Sequence, residues 1–288
     1  RGGSFVRGRL PLHLDPKASP LSIAVGDINL DGHADLFVAC FLKPEYLRPR
    51  VFNDPHYGTQ SLLLINNGDN TFTDITVEAG LTYTGNTSAA LFADLDNDGL
   101  PDLVRAEHTG QIRLYKNLGD NRFKNIQSSV SGYHGYPMGI AAGDVNNDGR
   151  LDLFFTNSGT TLPRLLAQGD LRDNQPLRTR WILLRNDGNF RFTDVAEAYL
   201  LADYELAQGA VFADFNLDGL EDLAVATNDI HFPPQWLYRN PGRLLLQKND
   251  STFAPVERMA QVENRQFGIS PLIADFNNDG YPDLVQVN

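Results

Sequence analysis

The stretch Asp94–Asp102, "DLDNDGLPD", packs four aspartates into nine residues. Left alone, such a cluster repels itself. It recurs as "DINLDGHAD" at 27–35, "DVNNDGRLD" at 144–152, "DFNLDGLED" at 214–222 and "DFNNDGYPD" at 275–283. The shared frame is D-x-[DN]-x-D-G-x-x-D, and the starting points lie 67, 50, 70 and 61 residues apart. A recurring period of this size is the mark of a repeat architecture.

The flanks recur as well. A short apolar segment precedes each copy ("LSIAVG", "SAALFA", "GIAAG", "GAVFA", "SPLIA") and another follows it ("LFVAC", "LVRAE", "LFFTN", "LAVAT", "LVQV"). Both are too short for helices and rich in β-branched or aromatic residues, so they read as strands joined by the aspartate turn. Four copies are followed by a hairpin pattern, at 62–75, 114–126, 183–195 and 244–256, with Asn, Gly and Asp in the tight turn. One module is therefore strand, acidic turn, strand, loop, strand, tight turn, strand. Four-stranded modules repeated in this way indicate an all-β fold, a β-propeller of antiparallel blades. A lone four-stranded sheet cannot bury both faces, and stacking on the next blade does so. The blades are expected at about 21–76, 88–127, 139–195, 208–257 and 268–288, the last incomplete, with 3–10 as the outer strand of a preceding blade. The tally favours an excerpt of a larger ring. The chain begins at Arg1, without a signal-peptide apolar region, and reads as a trimmed piece of a longer protein.

The aspartate pattern fits calcium, which takes six to eight oxygen ligands at about 2.3–2.6 Å in flexible geometry. Positions 1, 3, 5 and 9 supply side-chain oxygens, and the glycine at position 6 permits the bend. Those candidates are Asp27, Asn29, Asp31 and Asp35; Asp94, Asp96, Asp98 and Asp102; Asp144, Asn146, Asp148 and Asp152; Asp214, Asn216, Asp218 and Asp222; Asp275, Asn277, Asp279 and Asp283. Position 7 can add a backbone carbonyl, from His33, Leu100, Arg150, Leu220 and Tyr281. The apolar residue at position 2 is expected to anchor each turn in the core. An EF-hand would need Glu at position 12, where Val38, Arg105, Phe155, Val225 and Gln286 stand, all within expected strands. Magnesium, which prefers rigid octahedral sites with several waters, suits the frame less well. The rival reading is that the aspartates only cap turns through local hydrogen bonds. The loop at 94–102, with its extra carboxylate, is expected to bind most tightly.

Charge agrees with a cation partner. The net charge is −12, and 16 of the 36 acidic residues sit at these ligand positions. Five bound dications would leave about −2. An acidic chain is also a poor partner for nucleic acid. No apolar run is long enough for a membrane-spanning helix. The single cysteine, Cys40, allows no internal disulfide and reads as a small buried residue beside a strand.

The motif, its flanks and the hairpins resemble the FG-GAP/VCBS repeat family, which supplies the blades of integrin α-subunit propellers. The segment "NNGDNTFTDITVEAGL" at 66–81 is similar to repeats of the cartilage acidic protein family and its bacterial relatives. The resemblance covers roughly residues 21–288. It implies a calcium-stabilised extracellular propeller, usually of about seven blades, and this chain is too short for so many.

Folds of this type host many functions. The first reading is an adhesion or recognition module, without catalysis, that holds a protein or glycan on the face opposite the aspartate turns. Long loops at 40–60, 157–181 and 227–243 reach that face, with Lys43, Arg48, Arg50, Arg164, Arg172, Arg178, Arg180, Arg239, Arg243 and several aromatics. Arginines and aromatics are common anchors of binding surfaces. One alternative is a calcium-dependent polysaccharide lyase or hydrolase. The six histidines follow no recurring motif, however, and the paired carboxylates are already assigned to metal. The other is a structural spacer within a larger secreted protein. Sequons occur at Asn86 and Asn249.

Overall fold

A computed structural model describes residues 15, 17–41, 43, 58–108, 111–130, 133–157, 177–204, 206–227, 230–232, 236–238, 240–266 and 268–288. The expected strand at 3–10 and the loop residues Arg48, Arg50, Arg164, Arg172 and Arg239 lie outside them.

Each aspartate turn is flanked by strands, as its apolar neighbours require. The first sheet holds β1 (Ser19–Gly26), β2 (Asp35–Phe41), β3 (Leu62–Asn66) and β4 (Phe72–Asp74). The second holds β5 (Thr87–Ala93), β6 (Asp102–Glu107), β7 (Ile112–Asn117) and β8 (Phe123–Ile126). The third holds β9 (Ile140–Gly143), β10 (Asp152–Phe155), β11 (Ile182–Asn186) and β12 (Phe192–Asp194). The fourth holds β13 (Ala207–Ala213), β14 (Asp222–Thr227), β15 (Arg243–Gln247) and β16 (Phe253–Pro255). A fifth sheet pairs β17 (Ser270–Ala274) with β18 (Asp283–Val287). All these ladders are antiparallel and follow chain order, and the described residues contain no helix.

The sheets are propeller blades. Their first strands lie side by side along the chain: β1 by β5, β5 by β9, β9 by β13 and β13 by β17. At this inner rim backbones approach closely. A Cβ added to Gly139 would stand 2.2 Å from the Gln208 carbonyl oxygen, so only glycine fits.

Alternation along each second strand distributes the core. In β6, Leu103 packs with Phe37 and Leu63 of blade 1, while Val104 and Ala106 pack with Leu153 and Phe155 of blade 3. In β10, Phe154 turns the other way, onto Phe212 and Leu223 of blade 4. Each blade-to-blade seam is thus an apolar cluster closed by two sheets, and the second strands of blades 2 and 4 are buried throughout. Cys40 lies in β2, fully buried, where burial pushes its thiol pKa up. The outward faces of the first and last sheets differ. Leu21, Ile23 and Val25 on β1, and Leu272, Val285 and Val287 on β17 and β18, are exposed.

Candidate metal centre

The turn geometry is the same five times. Position 4 has positive φ in every copy (Leu30, Asn97, Asn147, Leu217 and Asn278, +55° to +59°), and so does the position-6 glycine, at +81° to +88°. Glycine adopts this conformation without strain, and asparagine tolerates it better than most residues.

The position-1 carboxylate organises the bend. Asp94 accepts hydrogen bonds from the Asp98 N–H at 3.1 Å and the Gly99 N–H at 2.8 Å. Asp27, Asp144, Asp214 and Asp275 accept the matching pairs. The position-5 carboxylates, Asp31, Asp98, Asp148, Asp218 and Asp279, each accept the N–H of position 7 at 2.9–3.0 Å. In four turns the position-3 amide (Asn29, Asn146, Asn216, Asn277) donates to the other oxygen of position 5.

Position 9 begins the second strand and lies deepest. Asp35, Asp102, Asp152 and Asp222 are fully buried. One oxygen of each accepts the N–H of position 2 (Ile28, Leu95, Val145, Phe215) at 2.9–3.0 Å. The other accepts the N–H of the last residue of the third strand (Asn66, Asn117, Asn186, Gln247) at 2.7–2.9 Å. Asp283 keeps the first of these contacts, to Phe276. Burial raises the pKa of Asp102 and Asp152 to about 7 and of Asp222 to about 6, against the lowering effect of the backbone N–H donors. Asp35 shifts the same way for the same reason. A carboxylate made costly by dehydration gains from a nearby cation.

In the second turn Asp94, Asp96 and Asp102 each offer an oxygen within 4.8 Å of the others, close enough to share one metal ion. Asp96 Oδ1 is shielded from solvent and accepts no hydrogen bond, a free acceptor in a site rich in negative charge. The donor set, carboxylate and amide oxygen with no sulfur, is that of a hard cation. Asp98 is not one of these three; the Lys116 ammonium binds both Asp98, at 2.8 Å, and Asp96. Hydrogen bonding from Lys116 leads the lowering of the Asp98 pKa. In the third turn Arg150, the position-7 residue, turns its guanidinium back onto Asp148. Neither cation was paired with its turn in the sequence reading. Lys116 is 18 residues beyond Asp98, on the next strand but one.

The sequence also hid the residue that ties one turn to its neighbour. The side-chain amide of Asn117 donates to the Ile28 carbonyl of the preceding blade at 2.8 Å. Asn186 does so to Leu95 at 2.8 Å, and Gln247 to Val145 at 2.7 Å. The signal was there: an amide residue ends the third strand in "LLLIN", "LYKN", "LLRN" and "LLLQ". A second link joins turn to turn. Asn97 donates to the Gly149 carbonyl at 2.9 Å and Asn147 to that of Gly219 at 3.2 Å.

The position-2 anchor holds where a following blade covers it. Ile28, Leu95 and Val145 are buried, Phe215 is half-buried and Phe276 is exposed. Position 12 lies in a strand in every copy, which confirms that these are not EF-hand loops. Of the two sequons, Asn86 is buried and Asn249 is exposed in a hairpin turn.

The family model described as an FG-GAP-like repeat matches residues 53–105 and 94–155. Cartilage acidic protein 1 of Homo sapiens is 26% identical over 243 residues, which cover 79% of this chain and 34% of that protein. A T-cell immunomodulatory protein homolog of Plasmodium yoelii yoelii is 31% identical over 152 residues, 48% of this chain and 20% of that protein. This chain therefore spans about a third or less of those relatives. Among solved structures, an Agrocybe aegerita lectin, described as recognising non-reducing terminal N-acetylglucosamine, superposes with a TM-score of 0.51 at 16% identity. The match covers 94% of this chain and 60% of the lectin, and the likeness is one of fold. Residues 53–105 and 94–155 are thus similar to FG-GAP-like repeats, and the described sheets are laid out as the blades of a β-propeller.

Proposed function

We propose that the chain is a calcium-stabilised extracellular recognition module. Its aspartate turns hold calcium on one face of the propeller, and a protein or glycan partner binds the opposite face. One observation carries the metal half of this reading: Asp94, Asp96 and Asp102 converge within 4.8 Å, one of their oxygens lacking any partner, on a turn whose geometry recurs five times. The ligands would be the side-chain oxygens of positions 1, 3, 5 and 9, with the carbonyls of His33, Leu100, Arg150, Leu220 and Tyr281.

The rival view, that the aspartates only cap the turns, accounts for the hydrogen bonds from backbone N–H groups. It leaves unexplained Asp96, which accepts no backbone N–H and whose buried Oδ1 has no partner, beside Asp94 and Asp102. The two roles are compatible, since a carboxylate oxygen bonded to one N–H keeps a second lone pair. Calcium also suits location. Extracellular modules bind it at about 10⁻⁴–10⁻³ M, far above cytosolic levels. The described residues include no helix long and apolar enough to cross a membrane. The recognition half rests on the described arginines at the end of the blades opposite the turns, Arg178, Arg180 and Arg243, and carries no catalytic step.

Equilibrium dialysis of the purified chain against calcium tests the metal half. The expected result is up to five ions per chain, with magnesium failing to displace them at equal concentration. Binding of none, or equal binding of both ions, overturns it.

A further inference from the structure

A cleft of about 840 Å³ opens on the third blade, within the range of roughly 300–1,000 Å³ usual for ligand pockets. Its place follows from topology. β10 leads away from its aspartate turn, and β11 begins at Ile182, paired with Phe155 at the far end of β10. Residues 178–181, just before β11, therefore lie at the end of the blade remote from the turn. Arg178, Arg180 and Trp181 line the cleft, with Tyr133, Asp194 and Glu197.

The cleft has hydrogen-bond donors in excess. Each guanidinium carries five N–H donors. Arg178 reaches Asp194 at only 3.4 Å and spreads over the Tyr133 ring, 4.0 Å from its centroid. Arg180 reaches Asp203 at 3.2 Å, an aspartate that is 93% exposed and so a weak partner. The indole N–H of Trp181, buried in the wall, donates to nothing among the described residues. On the acceptor side, Asp194 is already engaged by the Ala196 N–H, while Glu197 is exposed and open to a hydroxyl. Two under-used guanidinia beside an aromatic ring and a free carboxylate match a ligand with an anionic group and several hydroxyls.

We infer that this cleft binds an acidic oligosaccharide, its carboxylate or sulfate group held between Arg178 and Arg180 and a neighbouring hydroxyl on Glu197. The inference rests on the recognition reading and adds a site and a ligand class to it. Arg178 and Arg180 bind; they do no chemistry.

The test uses the full chain in about 2 mM calcium and fluorescence polarisation with three labelled hexasaccharides. One is a galacturonate oligomer (carboxylate), one a sulfated cello-oligomer (sulfate) and one unmodified cellohexaose. The expected result is binding of at least one acidic probe, weakened by salt. Arg178→Gln or Arg180→Gln should weaken it about tenfold or more, as loss of a charged hydrogen bond does. Arg258→Gln, whose side chain pairs with Glu263 outside the cleft, should change nothing. Melting temperatures within about 2 °C of the parent certify that each variant folds. The carboxylate and sulfate arms tell which anion the site takes. Cellohexaose binding as tightly as the acidic probes, or indifference to both arginine variants, overturns the acidic ligand and leaves glycan recognition standing. Silence of all three probes overturns the inference alone, since the recognition reading also admits a protein partner and its metal half is judged by calcium dialysis.

Discussion

The Lys116 ammonium lies 2.8 Å from Asp98 Oδ2 and also binds Asp96, so the second aspartate turn carries its own tethered cation. Burial alone would lower the lysine pKa, but the hydrogen bonds it donates to both carboxylates outweigh it and hold the group charged. The fourth carboxylate of this turn is thereby cancelled, leaving three net negative charges at its ligand positions, as in the first, fourth and fifth turns, while Arg150 on Asp148 leaves two in the third. The expectation that the 94–102 loop binds calcium most tightly omitted this lysine.

Lys116→Met therefore raises the calcium affinity of that turn. A unit charge at about 4 Å is worth roughly 1–4 kcal/mol at surface dielectrics, so the gain is at least about fivefold to tenfold. Adding Asp96→Asn to Lys116→Met brings the affinity back down. Calorimetric titration checks both steps; unchanged affinity in Lys116→Met shows that the ammonium does not compete for the site.

Asn117 spans two blades, donating to Ile28 at 2.8 Å and to Pro101 at 3.1 Å while its oxygen accepts the Gly119 N–H at 3.0 Å. It is fully buried. Asn117→Ala orphans all three groups and is expected to cost about 2–4 kcal/mol. Urea unfolding measures it. The same change at Asn66, whose side-chain amide donates to Ala34 and accepts the Gly68 N–H at the exposed rim, both within its own blade, should cost less.

Inside the seam of blades 1 and 2, Arg105 meets Glu107 at 3.0 Å and Thr87 at 2.7 Å, with the guanidinium near Phe37, Tyr83 and Tyr115. Both charged residues are buried. Glu107→Ala leaves the cation alone in an apolar seam and is expected to cost about 3–5 kcal/mol. Arg105→Met combined with Glu107→Leu should recover most of that loss. Denaturant curves of the single and double variants decide it.

His108 is buried between the edges of Phe41 and Tyr136, with ring centroids 5.3 Å away on each side, and burial lowers its pKa from 6.5 to about 4. The unfolded chain takes up this proton first as pH falls. Stability is therefore lost between pH 6.5 and about 4. Asp102 and Asp152, with folded pKa values of about 7, act in the opposite sense in metal-free protein: the folded state protonates first, and stability rises as pH falls through that range. Their contribution is common to wild type and His108→Gln. The variant should consequently lose less melting temperature than wild type on going from neutral to mildly acidic buffer. Equal losses contradict a buried neutral imidazole.

Most of the blade was legible because it is local. The aspartate frame names its own turn, its flanks have strand composition, and the Asn/Gly hairpins pair segments a few residues apart. What joins blade to blade was not, because those contacts link residues far apart in sequence. Asn117 finds Ile28 across 89 residues, and Asn186 finds Leu95 across 91. Nothing in "LYKN" names the partner of Lys116, since strand alternation places its side chain but not what it meets. Arg105 and Glu107 fall in an apolar run, "LVRAE", where only the packed seam shows that they pair. The aspartates were legible as a set, yet the division of labour was not: in the first four turns position 9 is buried beneath the turn and takes two backbone N–H groups, so it is a cap as well as a metal-ligand candidate, whereas Asp96 caps nothing.

The most direct test of the central claim is a thermal melt of the purified chain in excess EDTA, in calcium and in magnesium. With millimolar calcium against a dissociation constant of about 0.1 mM, each occupied turn adds roughly 1.5 kcal/mol, so five turns add about 7 kcal/mol. The account predicts a large upward shift of the melting temperature with calcium and little or none with magnesium. The same melting temperature in EDTA and calcium would contradict it and leave the aspartates as turn caps alone.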